Sequence, residues 1–249
     1  MTLIWPDQIQ NQLIEIIMGS ARSILPAWAY PWVHRGLSRL FLDSLWQLPL
    51  QPGSHSIALT FDDGPHPDYT PRLLKVLAHF DVKATFFVLG ERAQRWPEVV
   101  AQMAAEGHQL ALHGWQHRSF PSLSPSELRQ SLRQTQEILA TATGEIPESF
   151  WWVRPPNGLV WPQTVRQLQS WGYETVMWSV VPEDWLEPPI PVILERVQAQ
   201  VQPGSLIVLH DGIYGGSQVA EVTERLIPIL KAQEYEFATL VGIHQHKAA

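Results

Sequence analysis

One stretch of the chain reads Ile57-Ala58-Leu59-Thr60-Phe61-Asp62-Asp63-Gly64-Pro65, an apolar run that ends on two adjacent carboxylates followed by Gly-Pro. A run of this length predicts a buried strand, which Gly-Pro cannot continue. Two neighbouring carboxylates repel each other and resist burial, so a solvated turn is the alternative. Such a turn has polar flanks and needs no core strand before it, whereas these carboxylates stand where a metal ion or a general base would act. The stretch therefore predicts a functional site at the end of a buried strand.

Predicted strands and helices alternate from residue 55 towards the end of the chain. Apolar runs predict seven strands, at 57–61, 84–89, 109–112, 149–153, 174–179, 205–209 and 236–240. Periodicity, prolines and a capping signal predict helices near 71–80, 97–106, 162–171, 191–201 and 219–231, with another starting after Ser124. This alternation indicates an α/β fold, a (β/α)7 barrel with one unit fewer than the usual eight. An open doubly wound sheet is the alternative.

Residues 1–52 differ from the barrel, which we assign to residues 53–249. Apolar residues recur at helical spacing between residues 9 and 17 and again from Val33 to Leu45, which predicts an N-terminal helical extension. The tryptophans of this segment fit a cap packed on the barrel. Peripheral membrane contact through residues 1–52 is the alternative, although an in-plane anchor would carry more basic residues. The segment predicts neither a signal peptide nor a transmembrane span.

Composition excludes several classes of partner and site. The 249 residues carry a formal net charge of -7 without a basic cluster, so we expect no nucleic-acid partner. The chain has no cysteine, which excludes disulfides and thiolate ligands, so a metal would be held by His, Asp or Glu. The 12 tryptophans outnumber the 8 phenylalanines, a bias that suits either sugar stacking or an aromatic core.

Polar side chains follow the ends of the predicted strands, where parallel barrels place their active sites. They are Asp62 and Asp63 after the first strand, His113 and His117 after the third, Arg154 after the fourth, Asp184 after the fifth, and His210 and Asp211 after the sixth. Unrelated surface residues would not coincide with strand ends so regularly. We therefore expect these side chains to form one site.

The two histidines of His113-Gly114-Trp115-Gln116-His117 can reach one point if the segment makes a helical turn. Histidine pairs at this spacing are common on surfaces, so the pair alone is a weak signal. Together with an Asp from another strand end, it forms three ligands and leaves a coordination position open, as catalytic zinc sites do. A divalent metal there would lower the pKa of a bound water from near 16 to roughly 7.

Five short motifs occur in the chain, and together they carry a family resemblance. They are Thr60-Phe61-Asp62-Asp63-Gly64, His113-x-x-x-His117, Arg154-Pro155-Pro156-Asn157-Gly158, Asp184-Trp185 and Ile207-Val208-Leu209-His210. In order and approximate spacing they resemble the motifs of the polysaccharide deacetylases, the NodB-homology proteins of carbohydrate esterase family four. The resemblance covers about residues 55–242 and implies a distorted barrel of seven βα units. It also implies metal-dependent removal of acetyl groups from N-acetylglucosamine-type sugars of a chitin-like polysaccharide or peptidoglycan, by attack of a metal-bound water.

The resemblance also assigns roles to individual residues. Asp62 looks like the general base, and the metal ligands look like Asp63, His113 and His117. The remaining roles are Arg154 orienting Asp62, the Asn157 N–H stabilising the oxyanion, His210 protonating the leaving group, Asp184 holding His210, and Trp185, Leu209 and Pro155 lining the acetyl pocket. We expect zinc as the divalent metal, with cobalt, nickel or manganese as alternatives.

Three positions depart from the family's usual motifs. Gly114 stands where Ser or Thr is usual, which removes a hydroxyl that could steady the metal loop. Asn157 replaces a Tyr, and its expected oxyanion contact uses the backbone N–H, so we expect activity to survive. Pro182 and Glu183 precede Asp184 in an unusual form, and an acid that merely starts a helix is the alternative for Asp184.

Other functions remain as alternatives. A glycoside hydrolase would also place carboxylates at strand ends but would not need the paired histidines. A non-catalytic sugar-binding relative would be expected to lack a ligand or the base. An O-acetyl esterase acting on a glycan such as xylan would keep similar motifs, but amide cleavage has the greater need for the acid His210. The resemblance suggests action in the cell envelope or outside the cytoplasm, with the cytoplasm as the alternative; oligomeric state and glycan are left open.

Overall fold

The computed structural model describes residues 43–240, which form one parallel sheet covered by helices. The strands are β1 (Ser44–Leu45), β2 (Ser56–Asp62), β3 (Thr85–Val88), β4 (Gln109–Leu112), β5 (Trp152–Val153), β6 (Glu174–Val176), β7 (Leu206–His210) and β8 (Glu236–Phe237). The helices are α1 (Tyr69–His79), α2 (Gly90–Arg95), α3 (Pro97–Ala105), α4 (Pro125–Thr143), α5 (Pro162–Ser170), α6 (Ile190–Gln200) and α7 (Gly216–Ala232).

The strand order is that of a distorted barrel. Along the sheet the strands run β1-β6-β5-β4-β3-β2-β7, and β8 pairs with the start of β2. Strands consecutive in sequence from β2 to β6 are neighbours, whereas a doubly wound sheet reverses its strand order. A parallel bridge between Val180 and Ile207 joins the segment after β6 to β7, so the two ends of the run meet. The predicted α/β barrel is confirmed.

The core has two layers because side chains alternate along each strand. In β2, Ile57, Leu59 and Phe61 face the helices and belong to the larger outer cluster. Ala58 faces the barrel interior, where a smaller cluster contains Leu48, Ala58, Phe87, Ala111, Trp152, Val176, Leu206 and Leu240. The same alternation points Thr60 and Asp62 inward. The inner face of the barrel therefore changes from apolar to polar towards the carboxyl ends of its strands.

Helix α4 is the longest helix of the described chain and has a defined start and end. The Ser124 hydroxyl accepts a hydrogen bond from the backbone N–H of Glu127, and the Glu127 carboxylate accepts one from the Ser124 backbone N–H. Gly144 ends the helix at a φ of 79°, a left-handed conformation that glycine adopts without strain. Between these ends, Leu132 and Leu139 are buried in the outer cluster. The capping signal seen in the sequence thus marks the true start of α4.

Residues 43–52 join the barrel instead of a helical extension. β1 pairs in parallel with β6, and the Leu48 N–H donates to the Gly204 carbonyl oxygen at 2.8 Å. Trp46 and Leu48 are both buried. The prediction that a helical stripe reaches Leu45 is therefore wrong, because this residue completes a sheet edge. The remaining predicted extension, residues 1–42, lies outside the described residues, so its role as cap or membrane contact stays a prediction. Every helix between residues 43 and 240 is too short or too polar to cross a membrane.

Candidate active site

Strand register brings the predicted polar residues to one end of the barrel. Asp62, the last residue of β2, is the register partner of His210 in β7. β4 and β5 pair through Leu112 and Val153, so the residues that follow them, His113 and Arg154, are also neighbours. The parallel sheet therefore collects side chains that are up to about 150 positions apart in the sequence.

Asp63, His113 and His117 form a cluster suited to a metal ion. Their possible ligand atoms all lie within 4.8 Å of one another. The Nε2 atoms of His113 and His117 lie 3.4 Å and 3.3 Å from Asp63 Oδ1. His113 Nδ1 lies 2.7 Å from the Arg154 carbonyl oxygen, so Nδ1–H donates there and Nε2 keeps its lone pair for the cluster. Asp63 Oδ1 is buried without a hydrogen-bond partner, and a divalent cation would satisfy it.

The protonation states of this cluster favour metal binding. Burial would raise the pKa of Asp63, but the surrounding histidines, His113 first among them, lower it far below its usual range. Burial lowers the pKa of His117, although the nearby Asp63 opposes this. The carboxylate is therefore ionised and the His117 imidazole is neutral at pH 7, which are the forms that bind a metal.

Asp63 has a φ of 73°, a left-handed conformation that is rare for residues other than glycine.

Arg154 and Asp62 form a buried ion pair beside the cluster. Arg154 Nη1 donates to Asp62 Oδ1 at 2.7 Å and to Thr60 Oγ1 at 2.8 Å. Arg154 Nη2 donates to the Met177 carbonyl oxygen at 2.8 Å, and the guanidinium carbon lies 3.9 Å from the centre of the Phe87 ring. Because Arg154 has no solvent exposure, these contacts fix its position. Its charge therefore orients Asp62 through one oxygen and leaves Oδ2 free of this pairing.

His210 and Asp184 form the second pair. Asp184 Oδ1 lies 2.9 Å from His210 Nδ1, and Asp184 Oδ2 accepts the His210 backbone N–H at 2.7 Å. Burial alone would lower the pKa of His210, but the charge and hydrogen bond of Asp184 raise it to about 9. The imidazolium form therefore dominates at pH 7. With Nδ1–H directed to Asp184, Nε2–H is the donor available to a substrate.

A strained turn carries Asp184. Glu183 and Glu187, on either side of the 3-10 turn Asp184–Leu186, both have left-handed backbones, with φ of 59° and 49°. The buried Glu183 carboxylate pairs with Arg196 Nη1 of α6 at 2.9 Å, and the same Nη1 donates to the Pro182 carbonyl oxygen at 3.0 Å. The unusual Pro182-Glu183 sequence thus anchors the turn to α6. Asp184 binds His210 with both oxygens and is more than an acid at a helix start.

Asn157 has a left-handed backbone in the loop after β5. Its φ is 59°, in the left-handed region where Asn is better tolerated than most side chains. Its Nδ2 donates to Ser119 Oγ at 2.9 Å, which links the loop after β5 to the loop that follows His117. The side chain is exposed, so the role expected of Asn157 would rest on its backbone N–H.

The three predicted pocket residues have different positions. The Trp185 ring packs edge-on against the His210 ring, with centroids 5.3 Å apart, and Pro155 is buried next to Arg154. Leu209 does not face the site. It belongs to the outer cluster on the helix side, because strand alternation turns it away from the face that carries His210. Val208, two residues before His210, lies on the inner face in its place.

Thr60 and Asp211 also belong to the site, although neither was assigned an individual role from the sequence. Thr60 Oγ1 accepts from Arg154 Nη1 and donates to the Ile207 carbonyl oxygen at 2.7 Å. Its position two residues before Asp62 could have indicated this, because residues two apart on a strand share one face. Asp211 is fully buried, its N–H donates to the Asp62 carbonyl oxygen at 3.1 Å, and it accepts from Thr70 Oγ1 at 2.6 Å. Burial raises the pKa of Asp211 to about 7, although the hydrogen bond from Thr70 opposes this. Asp211 therefore links α1 to the end of β2.

Comparison with known proteins identifies the family. The sequence pattern described as polysaccharide deacetylase matches residues 50–176. A chitooligosaccharide deacetylase from Sinorhizobium fredii is 41% identical over 173 residues, which cover 69% of this chain and 79% of the relative. The chain belongs to the polysaccharide deacetylase family. The resemblance carried by the five motifs is therefore confirmed.

Solved structures of the deacetylase family share the fold. A peptidoglycan N-acetylglucosamine deacetylase, crystallised with 4-naphthalen-1-yl-N-oxidanyl-benzamide, matches with a TM-score of 0.75 and 30% identity, covering 81% of this chain and 92% of its own. A family pseudoenzyme from Bacillus anthracis matches with a TM-score of 0.70 and 27% identity, covering 78% of this chain and 66% of its own. Because the deacetylase fold also occurs in a pseudoenzyme, activity has to be argued from the individual side chains.

Proposed function

We propose that the protein is a metal-dependent hydrolase that removes N-acetyl groups from N-acetylglucosamine units of a polysaccharide. The observation that carries this proposal is the unpaired Asp63 oxygen facing two imidazole nitrogens, beside the Asp62–Arg154 and His210–Asp184 pairs. A pseudoenzyme would be expected to lack one of these parts. A glycoside hydrolase needs two carboxylates across a glycosidic bond and has no use for the imidazole pair.

Asp63, His113 and His117 would hold the metal. A divalent ion bound there would lower the pKa of a water molecule and polarise the acetyl carbonyl. Two nitrogens and one carboxylate oxygen, in a chain without cysteine, favour zinc, with cobalt, nickel and manganese as alternatives. The buried Asp63 carboxylate also offsets part of the positive charge that the metal would bring.

The two ion pairs divide the proton transfers between them. Asp62, oriented by Arg154, would accept a proton from the attacking water through Oδ2. His210 would donate its Nε2 proton to the sugar nitrogen as the bond from the carbonyl carbon to nitrogen breaks. The products are acetate and a free amine. Trp185 would confine the acetyl group near His210, and the Asn157 N–H would donate to the developing oxyanion.

The His210–Asp184 pair favours an amide substrate over an ester. An amine is a poor leaving group and must be protonated as it departs, whereas an alcohol leaves with weaker assistance. Because Asp184 keeps His210 protonated at pH 7, the site has the strong acid assistance that amide cleavage needs. The names of the relatives, chitooligosaccharide deacetylase and peptidoglycan N-acetylglucosamine deacetylase, support the same bond. Action outside the cytoplasm remains part of this proposal.

Acetate release tests the proposal. The chelator-treated protein would be reloaded with zinc and incubated with N-acetylglucosamine oligomers, peptidoglycan and acetylated xylan. We expect acetate from at least one of the first two substrates, its loss on chelation, and no activity in the His113→Ala variant. Acetate from xylan alone would show that the bond is an ester, and release of shortened sugars without acetate would indicate a glycoside hydrolase.

A further inference from the structure

The loop between the two histidine ligands is bonded mainly by groups outside it. Gly114 has a φ of 90° and contributes no side chain. Its carbonyl oxygen accepts from the Gly90 N–H at 3.0 Å, and the Trp115 carbonyl oxygen accepts from the Glu91 N–H at 3.0 Å. These donors lie at the start of α2. The N-terminal end of α2 therefore holds the backbone between His113 and His117 through two hydrogen bonds.

Two hydroxyl groups of α4 pin the same backbone from another side. Ser131 Oγ accepts the Trp115 N–H at 2.7 Å. The Thr135 hydroxyl proton is shared between the Gly114 carbonyl oxygen at 3.1 Å and the Ser131 carbonyl oxygen of its own helix at 2.9 Å. Residues four apart share one face of a helix, so both hydroxyls point at the loop. Thr135 is fully buried, and a Cβ at Gly90 would collide with its hydroxyl and with the Trp115 ring. The start of α2, the loop and this face of α4 thus interlock.

The hydrogen bonds from α2 and α4 to the loop backbone affect the position of His117 more than that of His113. His113 is fixed independently, because its Nδ1 bonds to the Arg154 carbonyl oxygen. The side chain of His117 is 38% exposed, and its Nε2 faces Asp63. The position of His117 relative to His113 therefore depends on the loop backbone. That backbone is held by groups of α2 and α4, and α4 offers a rigid support because it is capped at both ends.

We propose that Ser131 and Thr135 are positioning residues for the metal site, which set the placement of His117 through the backbone of Gly114 and Trp115. This inference rests on the proposed metal-dependent function. The two hydroxyls act by fixing the Gly114 carbonyl and the Trp115 N–H, and neither binds the metal. Removing them would leave all three ligands present but less well arranged, and such outer contacts typically affect metal affinity by ~10–100-fold.

The test measures the Zn²⁺ dissociation constant by competition with a chromophoric chelator, using the full chain. We expect the Ser131→Ala, Thr135→Val double variant to bind Zn²⁺ ~10–100-fold more weakly than the wild type. Thr135→Ser, which keeps the hydroxyl, should bind like the wild type. The matched control is Thr141→Val, because the Thr141 hydroxyl donates only to the Glu137 carbonyl oxygen at 2.7 Å on the exposed face of α4.

The same binding measurements distinguish a failure of the proposed metal site from a failure of the roles proposed for Ser131 and Thr135. If the wild type binds Zn²⁺ no better than His113→Ala does, the proposed metal site fails and this inference fails with it. If the wild type binds tightly and the double variant binds equally well, this inference alone is overturned. Equal weakening by Thr141→Val would assign the effect to helix stability and would also overturn it. If the double variant does not fold, the half-buried Ser131→Ala substitution alone decides by the same comparison.

Discussion

The two neighbouring acids of β2 have different surroundings, which predicts different losses on substitution. Asp62 pairs with Arg154, whereas the Asp63 Oδ1 atom faces two imidazoles without a hydrogen bond. Asp62→Asn should keep its metal, because the amide oxygen can still accept from Arg154, while kcat falls by ~10²–10⁴-fold, as expected for loss of a general base. Metal analysis and acetate release check this. Loss of metal in Asp62→Asn would show that base and ligand had been exchanged.

The effect of the Asp184 carboxylate on the pKa of His210 predicts where activity falls at alkaline pH. His210 must be protonated to act as an acid, so activity should fall as the pH rises through its pKa of about 9. In Asp184→Asn the charge that raises this pKa is gone, so the alkaline limb should move to lower pH and kcat at pH 8 should fall. The pH profiles of kcat for both proteins check the shift. An unchanged alkaline limb would exclude His210 as the titrating acid.

At the level of single residues, the sequence predicted which residues form the site better than it predicted which way their side chains point. The five motifs named every member of the two ion pairs and of the metal cluster, and the structure brings them together. Leu209 was misplaced because a motif names residues without stating which face of the strand each occupies. Ser131 and Thr135 lie in the middle of a helix without a motif. The Ser131 contact with the Trp115 N–H and the Thr135 contact with the Gly114 carbonyl oxygen come from tertiary packing, which one sequence does not encode locally.

At the scale of elements, the turn that carries Asp184 depends on its anchor to α6. Glu183→Gln keeps the shape of the side chain but weakens the buried pair with Arg196. We expect kcat to fall by up to ~10²-fold, because small displacements of catalytic groups are costly. The alkaline limb should shift as in Asp184→Asn, and Zn²⁺ affinity should be unchanged.

The matched control is Glu221→Gln, which weakens an exposed i,i+4 pair with Arg225 on α7. Exposed pairs contribute little, so its kcat and pH profile should equal those of the wild type. A normal pH profile in Glu183→Gln would show that the 3-10 turn keeps Asp184 in place without the anchor.

Element boundaries were predictable where periodicity or capping is strong. The strand at 109–112 and the start of α4 match the prediction, whereas 149–153 shortens to Trp152–Val153 because Pro147–Ser149 forms a 3-10 turn. α2 was missed because a helix of six residues is too short to show an apolar stripe. β1 was missed because a two-residue edge strand has no alternation to recognise.

At the scale of the whole molecule, residues 43–52 should be needed for stability. A chain beginning at residue 53 lacks β1 and the buried Trp46 and Leu48, each worth about 1.5–3 kcal/mol on burial. Compared with a chain beginning at residue 43, we expect its melting temperature to be lower by at least ~6 °C, at ~2–4 °C per kcal/mol. Thermal unfolding checks this, and Leu48→Ala should reproduce part of the loss. Equal melting temperatures would place the domain boundary at residue 52 after all.

The left-handed backbone of Asp63 has a consequence for engineering this barrel. Successive residues of an extended strand point to opposite faces, yet Asp62 and Asp63 both belong to one site, and the φ of 73° marks where the chain leaves the extended conformation. For a residue other than glycine this conformation costs roughly 1–3 kcal/mol, so glycine would relieve it. Computational redesign that ranks substitutions by folding energy alone would thus select glycine at position 63 and delete a metal ligand while reporting an improvement. Any thermostabilised version of this chain has to keep that position fixed from the outset.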